Sequence, residues 1–315
     1  MDKPQITLPE NPTEAQKQVL NAPIDARALI LLGMDPAQVE VLKRNNIIPT
    51  TVGRFLSIEG IWSDHIRGII TQTTWLEDGV PMMVIYPTHR ETFEIDAEKD
   101  EIIGWSHYAD GSLTRTRYRA DSGLTIEQAV VDRATKKVHM VIYNVIYDKQ
   151  GRVKEEHQPI LVHGEDGRSF QETGKISVDR HIYNGKDWPV EHHVGEFDAT
   201  SKGKLPAKLD RDMFRHHATF AHNEDTGLME TATYYAPPPV GDTVITFKWD
   251  DKGNMLEQCT QGTVSCTGRN EYDDEGRVLK LVRVGIADQT EGAEEEAPED
   301  ILYDFTKFWT APAEY

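Results

Sequence analysis

A seven-residue phrase recurs along this chain and narrows what it can fold into. Tyr147-Asp148-Lys149-Gln150-Gly151-Arg152-Val153 and Tyr272-Asp273-Asp274-Glu275-Gly276-Arg277-Val278 share one pattern, and Trp249-Asp250-Asp251-Lys252-Gly253-Asn254-Met255 is a close variant. Looser copies stand at Tyr108 to Leu113, Asp166-Gly167-Arg168, Tyr183 to Trp188, and Phe197-Asp198 with Gly203. Each copy encodes a hairpin. The aromatic closes one strand, the aspartate accepts hydrogen bonds from the amides that follow, the glycine takes the left-handed position, and the next residues open the return strand. Repeating such a unit builds an antiparallel meander.

The surrounding sequence agrees. From about Ile47, β-branched and aromatic runs alternate with turn residues. Ile66 to Trp75 and Val80 to Tyr86 flank Glu77-Asp78-Gly79. Phe93 to Asp96 and Glu101 to Trp105 flank a polar turn, and Ser106 to Tyr108 and Ser112 to Tyr118 flank Asp110-Gly111. Further strands are expected over Val138 to Tyr147, Arg152 to Glu156, Lys175 to Tyr183, Thr231 to Ala236, Thr243 to Trp249 and Val278 to Val284. The expected fold is mainly β, an extended antiparallel meander of repeated hairpins, with an open sheet, a sandwich and a large barrel all compatible with the pattern.

A short α-helical segment precedes the strands, over residues 1 to 46. Thr13 with Gln16 makes a capping box for a helix reaching Leu20, Asp25 opens a second helix that Gly33 ends, and Asp35 caps a third with Pro36 at its first position and Asn45-Asn46 as its stop. The antiparallel β-hairpin domain then occupies 47 to 287. Residues 288 to 300 hold an exposed acidic loop, because the like charges and proline of Glu291 to Asp300 oppose strand pairing and burial. The stretch from 301 to 315 is expected to dock back on the sheet, with Ile301 to Trp309 alternating as a strand.

Over Tyr108 to Val284 the phrase resembles the YD repeat of the RHS family, whose hairpin units string into long spiralling sheets. Full-sized members form shells that enclose a toxin. This chain is too short for such a shell and lacks the Asp-Pro-x-Gly-Leu motif at which family shells end. The resemblance therefore implies a stand-alone relative, including the kind of small protein that accompanies a toxin and neutralises it.

Charge narrows the partners. A formal net charge of −19 repels phosphate backbones and anionic lipid and attracts basic proteins. Nucleic acid is not an expected partner, and nor is the membrane, since no apolar run approaches the roughly 18 residues of a transmembrane helix. The N-terminus shows no apolar signal region, which points to a cytoplasmic setting. Two cysteines, Cys259 and Cys266, are too few for a disulfide framework. A two-residue turn at Gly262-Thr263 would make them cross-strand partners.

Common catalytic motifs are absent: there is no nucleophile elbow, phosphate loop, dinucleotide fingerprint or His-Glu-x-x-His. Three functional readings follow. The first is an acidic interaction protein that binds and neutralises a basic protein partner, with an immunity protein for a secreted toxin as its concrete form. Its binding candidates are Asp273, Asp274 and Glu275 at a hairpin tip and Glu294, Glu295 and Glu296 in the acidic loop. The second is a metal-dependent or acid–base hydrolase using His192, His193, His216, His217 and His222, although adjacent histidines on a strand point to opposite faces and give one ligand each to a site. The third is a carbohydrate-binding module using a row among Trp62, Trp75, Trp105, Trp188, Trp249 and Trp309, for which core packing is the competing explanation. No cofactor and no metal site is expected.

Overall fold

The computed structural model describes residues 10–45, 47–57, 74–75, 80–86, 89–163, 170–199, 209, 214–235, 241–261, 266–284, 299–310 and 314–315. Among these residues seventeen strands form one sheet. They are β1 (Thr74–Trp75), β2 (Pro81–Ile85), β3 (His89–Asp96), β4 (Glu101–Tyr108), β5 (Leu113–Arg119), β6 (Thr125–Val131), β7 (Val138–Tyr147), β8 (Val153–His163) and β9 (Phe170–Tyr183). The series continues with β10 (Pro189–Asp198), β11 (Arg215–His222), β12 (Met229–Tyr234), β13 (Thr243–Trp249), β14 (Met255–Gln261), β15 (Cys266–Tyr272), β16 (Val278–Val284) and β17 (Glu299–Asp304). The registers run antiparallel from each strand to the next in the chain, from Thr74↔Met83 at the start to Lys280↔Asp304 at the end. The architecture is an open β meander.

The recurring phrase is the joint of this meander, and its geometry repeats almost atom for atom. Asp148 Oδ1 accepts from the amides of Gln150 and Arg152 at 2.9 and 3.0 Å, and Asp273 Oδ1 accepts from Glu275 and Arg277 at 3.0 and 2.8 Å. Asp250 does the same with Lys252 and Asn254, and Asn184 with Lys186 and Trp188. Gly151, Gly253 and Gly276 sit at φ of +80°, +82° and +76°. Burial raises the Asp148 and Asp273 carboxyls, but the amide and guanidinium hydrogen bonds outweigh it, so both titrate below the usual carboxylate range.

The aromatic of each phrase ties its hairpin to the one before. Tyr183 donates its hydroxyl to the Val153 carbonyl at 3.0 Å, Trp249 its indole N–H to Met229 at 2.7 Å, and Tyr272 its hydroxyl to Met255 at 2.9 Å. Tyr147 reaches Thr125 in the same way at 2.7 Å. In every case the acceptor is the first residue of the preceding return strand. The arginine of the phrase adds a second link. Arg152 grips Asp148 through Nε at 2.7 Å and lays its guanidinium 4.3 Å from the centre of the Tyr183 ring. Arg277 grips Asp273 and lies 5.3 Å from the Trp309 ring, whose N–H reaches the Val278 carbonyl at 2.8 Å. Trp309 thus takes, relative to β16, the place that the next aromatic takes relative to the other return strands. Each hydrogen bond contributes about 1 kcal/mol and each cation–π contact about 0.5–2 kcal/mol.

Helices α1 (Glu14–Leu20), α2 (Ala26–Leu31), α3 (Pro36–Arg44) and α4 (Val52–Ser57) form a plug that joins the two ends of the sheet. Thr13 and Gln16 make the expected capping box, and Asp25 caps α2. One continuous core contains Leu20, Leu29 and Phe55 from the plug, Phe93 and Ile102 from the early strands, and Val278 from β16. Arg27 donates to the Ala120 carbonyl in the β5–β6 turn at 3.1 Å, while Asn21 exchanges hydrogen bonds with the backbone of Tyr315 at 3.1 and 2.8 Å.

Three sequence expectations change here. The helical segment extends past residue 46, because Val52, Phe55 and Leu56 are buried on one face of α4 at helical spacing. The stretch over Ile301 to Trp309 is not one strand. It leaves the sheet at Asp304, whose Oδ1 accepts from the Thr306 amide at 2.9 Å and starts helix α5 (Thr306–Thr310). Cys259 pairs with Thr267, and Cys266 with Thr260, so the cysteines are not cross-strand partners: the β14–β15 connection is longer by one position than a two-residue turn. The acidic stretch 288–298 and the expected strand over Ile66 to Thr73 lie outside the described residues.

Valine at Gly151 or Gly276 is expected to destabilise the fold by about 1–3 kcal/mol, the cost of holding a β-branched residue at positive φ. An added Cβ at Gly151 also meets Arg119 Nη1 at 3.1 Å. Thermal melts followed by circular dichroism test this. Gly185→Ala serves as the control, since a Cβ there meets nothing within 4 Å. Wild-type melting of both valine variants would contradict the hairpin assignment.

Candidate functional site

The candidate histidines lie on β10 (His192, His193) and β11 (His216, His217, His222), and β8 and β9 bring further charged and imidazole groups beside β10. Alternation puts Glu155, Arg180 and His193 on one face and Glu156, Asp179, His181 and His192 on the other. On the first face Glu155 is buried and accepts from Arg180 Nε at 2.9 Å, with His157 Nε2 at 3.0 Å. His193 is buried against Glu191 Oε2 at 2.7 Å, and Arg180 lies 4.0 Å from the Phe214 ring centre. A small second core of Ile176, Val178, Phe197 and Phe214 packs beside them. The His157 hydrogen bond, opposed by burial and reinforced by Arg180, holds the Glu155 carboxyl below its usual range.

On the opposite face His181 stacks on His192 at 4.7 Å and meets Glu156 Oε2 at 2.9 Å, and the Tyr143 hydroxyl donates to Glu156 Oε1. His216 is the cross-strand partner of His193. His222, at the far end of β11, stacks on Trp188 at 5.4 Å, and burial pushes its imidazole below the ordinary histidine range. Six residues of strand separate it from His216, about 20 Å. His222 therefore stands apart from the His193–His216 pair, and among the described residues no group of three or more His, Cys, Asp or Glu side chains could hold a metal ion.

The acidic candidates also divide. Asp273 is consumed by its own turn and by Arg277, and its side chain is only 19% exposed. Asp274 and Glu275 are exposed at the tip, Glu275 lying 3.2 Å from Arg277. Glu294, Glu295 and Glu296 lie outside the described residues. What sequence reading missed is the company Asp274 keeps. In an up-and-down meander every second turn falls on the same edge of the sheet, so the β11–β12, β13–β14 and β15–β16 tips stand in a row about 10 Å apart. Asp225, Asp251 and Asp274 are exposed at these three tips, and none forms an ion pair among the described residues. The repeat period of the phrase carried this signal.

The tryptophans do not form one row. Trp105 donates to Glu94 at 2.9 Å and lies under Lys136, Trp309 serves the hairpin ladder, and Trp62 lies outside the described residues. Trp188 and Trp249, however, line a cavity of about 550 Å³ on the inner side of β11–β16, together with His222, Phe247, Gln258 and Asn270. Asn45, just past α3, borders it as well.

The fold and these surfaces define a hairpin-repeat β protein with an acidic turn edge and an aromatic cavity. No family model matches the chain, and no curated protein matches it. Among solved structures it is similar to the crystal structure of TcdB2-TccC3, with 9% identity and a TM-score of 0.17 over 74% of this chain and 17% of that one. The chain thus spans under a fifth of that structure, and a score this low carries no argument.

Glu155→Leu is expected to cost about 3 kcal/mol in urea unfolding at pH 7, because it strands Arg180 without its buried counter-charge. The sign of the pH dependence follows from depressed carboxyls at Glu101, Glu155 and Glu156. Their stabilisation is complete above the unfolded glutamate range near about 4.3 and is lost as pH falls below it. The variant should show a shallower acid limb than the wild type, and an identical limb would remove Glu155 from the account.

Proposed function

We propose that this protein is an acidic interaction protein that captures and neutralises a basic protein partner, with an immunity protein for a secreted toxin as its concrete form and the cytoplasm as its setting. One observation carries the reading: the charge is unevenly spent. The chain has 53 acidic and 34 basic side chains. Many of the basic ones are engaged within the hairpins, as in Arg115–Glu127, Arg117–Glu101, Arg119–Asp121, Arg152–Asp148 and Arg277–Asp273. The excess acids at the tips, Asp225, Asp251 and Asp274, are left facing solvent. Such an edge raises encounter rates with a basic surface and sets register, more than it sets dissociation. The resemblance of the Tyr-Asp phrase to the YD repeat supports a relative of toxin-associated hairpin proteins. The hydrolase alternative draws on histidines of which His222 stands about 20 Å along β11 from His216.

The test is association rate against salt, with the basic protein that copurifies or is encoded beside this one. Reversing Asp225, Asp251 and Asp274 to lysine is expected to slow association about tenfold at low ionic strength. The change in stability should stay within about 0.5 kcal/mol, since these side chains are exposed and make no ion pair among the described residues. A second triple reversal at Glu294, Glu295 and Glu296 measures the contribution of the acidic stretch. Asp273 is left intact, because its loss would open the turn. A rate indifferent to salt and to both reversals would reduce the acidity to a solubility feature.

A further inference from the structure

The aromatic cavity is chemically unlike the surface around it. More than a quarter of the chain is charged, 28%, yet none of the eighteen described residues lining this cavity is Asp, Glu, Lys or Arg. A charged ligand would find no counter-charge among these lining residues, and Lys186, 4.6 Å from the Trp188 ring centre, is already paired with Glu224 at 2.5 Å. The walls are the rings of Phe247, Trp249 and Tyr272, with Met229, Met255 and Leu281 between them.

Polar groups with unused capacity point to the other half of the ligand's chemistry. The Gln258 amide makes no hydrogen bond among the described residues, and the Trp188 indole N–H makes none either. Asn270 donates through Nδ2 to the Met255 carbonyl at 2.6 Å, which leaves its Oδ1 as an acceptor. Burial keeps the His222 imidazole neutral near pH 7, able to donate from one nitrogen and accept at the other. A purely apolar occupant would strand these groups, at about 1–3 kcal/mol for each one buried.

We propose that this cavity binds a neutral saccharide. A pyranose ring offers apolar C–H faces to the indole and phenyl walls. Its hydroxyls each donate and accept, which suits the Gln258 amide, the Asn270 Oδ1, the His222 imidazole and the Trp188 N–H. At about 550 Å³ the space lies within the range of small-molecule sites. The site is held open by the ladder: Trp249 and Tyr272 are fixed by hydrogen bonds to Met229 and Met255, and Trp188 packs on Gly227, where an added Cβ would come within 2.8 Å of its ring. This inference is independent of the acidic edge and stands or falls separately.

The experiment is a panel of uncharged mono- and disaccharides, including glucose, galactose, N-acetylglucosamine, maltose, lactose and cellobiose. Each is titrated into the full chain to about 10 mM, with tryptophan fluorescence and calorimetry as readouts. Sulfated and uronic saccharides and the planar heterocycle adenosine serve as comparisons. Binding of at least one neutral saccharide is expected. Gln258→Leu should weaken it about tenfold, the weight of a ligand hydrogen bond lost from a buried site. Gly268→Val should weaken it at least as much. A Cβ at Gly268 meets nothing closer than 3.6 Å, so the strand accepts the side chain while the cavity loses room. Melting curves of both variants establish that they fold. No neutral saccharide binding, binding unchanged in both folded variants, or preference for the charged saccharides or adenosine would each overturn the proposal.

Discussion

Everything in this protein depends on one hydrogen bond repeated from hairpin to hairpin: the aromatic polar hydrogen that reaches the first carbonyl of the preceding return strand. A long meander has a weakness that such a bond removes. Each strand is held only by its two neighbours, and nothing in the ladder itself fixes how far successive hairpins twist relative to one another. Tyr147, Tyr183, Trp249, Tyr272 and Trp309 each cross that gap to a backbone carbonyl, so the spacing of one hairpin is set by the start of another. The arginine that grips its own aspartate and covers the next ring makes the same connection through the turn.

The two faces of the sheet are treated differently along its length. Where the helical plug covers the sheet, the inner face carries Val84, Phe93, Ile102 and Val278 in an apolar core. Farther along, over β4–β10, partly buried ion pairs and aromatic stacks occupy both faces, as in Arg117–Glu101, Arg180–Glu155 and His181–His192, beside the small core of Ile176, Val178, Phe197 and Phe214. These networks satisfy the polar atoms of a sheet with too little apolar cover, and the histidines that invite a catalytic reading are parts of them. The depressed carboxyls of Glu101, Glu155 and Glu156 trace to hydrogen bonds and ion pairs, among which those from Arg117, Arg180 and His181 also cross between neighbouring strands.

The proposed function rests on the same geometry. Turns of one parity share an edge, so Asp225, Asp251 and Asp274, 26 and 23 residues apart in the chain, come to stand in a row. The faces, in contrast, are fixed by packing, and between the hairpin joints of β11–β16 they leave an uncharged hollow. An acidic edge and a neutral cavity are therefore separate consequences of one repeat.

Much of the fold was legible in the chain because its signals are local. Asp148 with Gly151, Asp250 with Gly253 and Asp273 with Gly276 each specify a turn within five residues, and Thr13 with Gln16 specifies a helix start within four. The runs on either side of Asp110-Gly111 mark the end of β4 and the start of β5 for the same reason. What the sequence could not state were relations between distant residues. The one-residue offset of Cys259 and Cys266 depends on the length of a loop. The helix at Thr306 depends on Asp304 leaving the sheet, and the burial of α4 depends on both ends of the meander closing on it. The separation of His193 from His222 and the meeting of Trp188, Trp249 and Asn270 around one cavity arise from strand register and the stacking of hairpins. Sequence by itself determined the hairpins and their repetition, since turn chemistry acts over a few residues. Tertiary structure alone decided which side chains share a site, since that is set by register and twist accumulated over many strands.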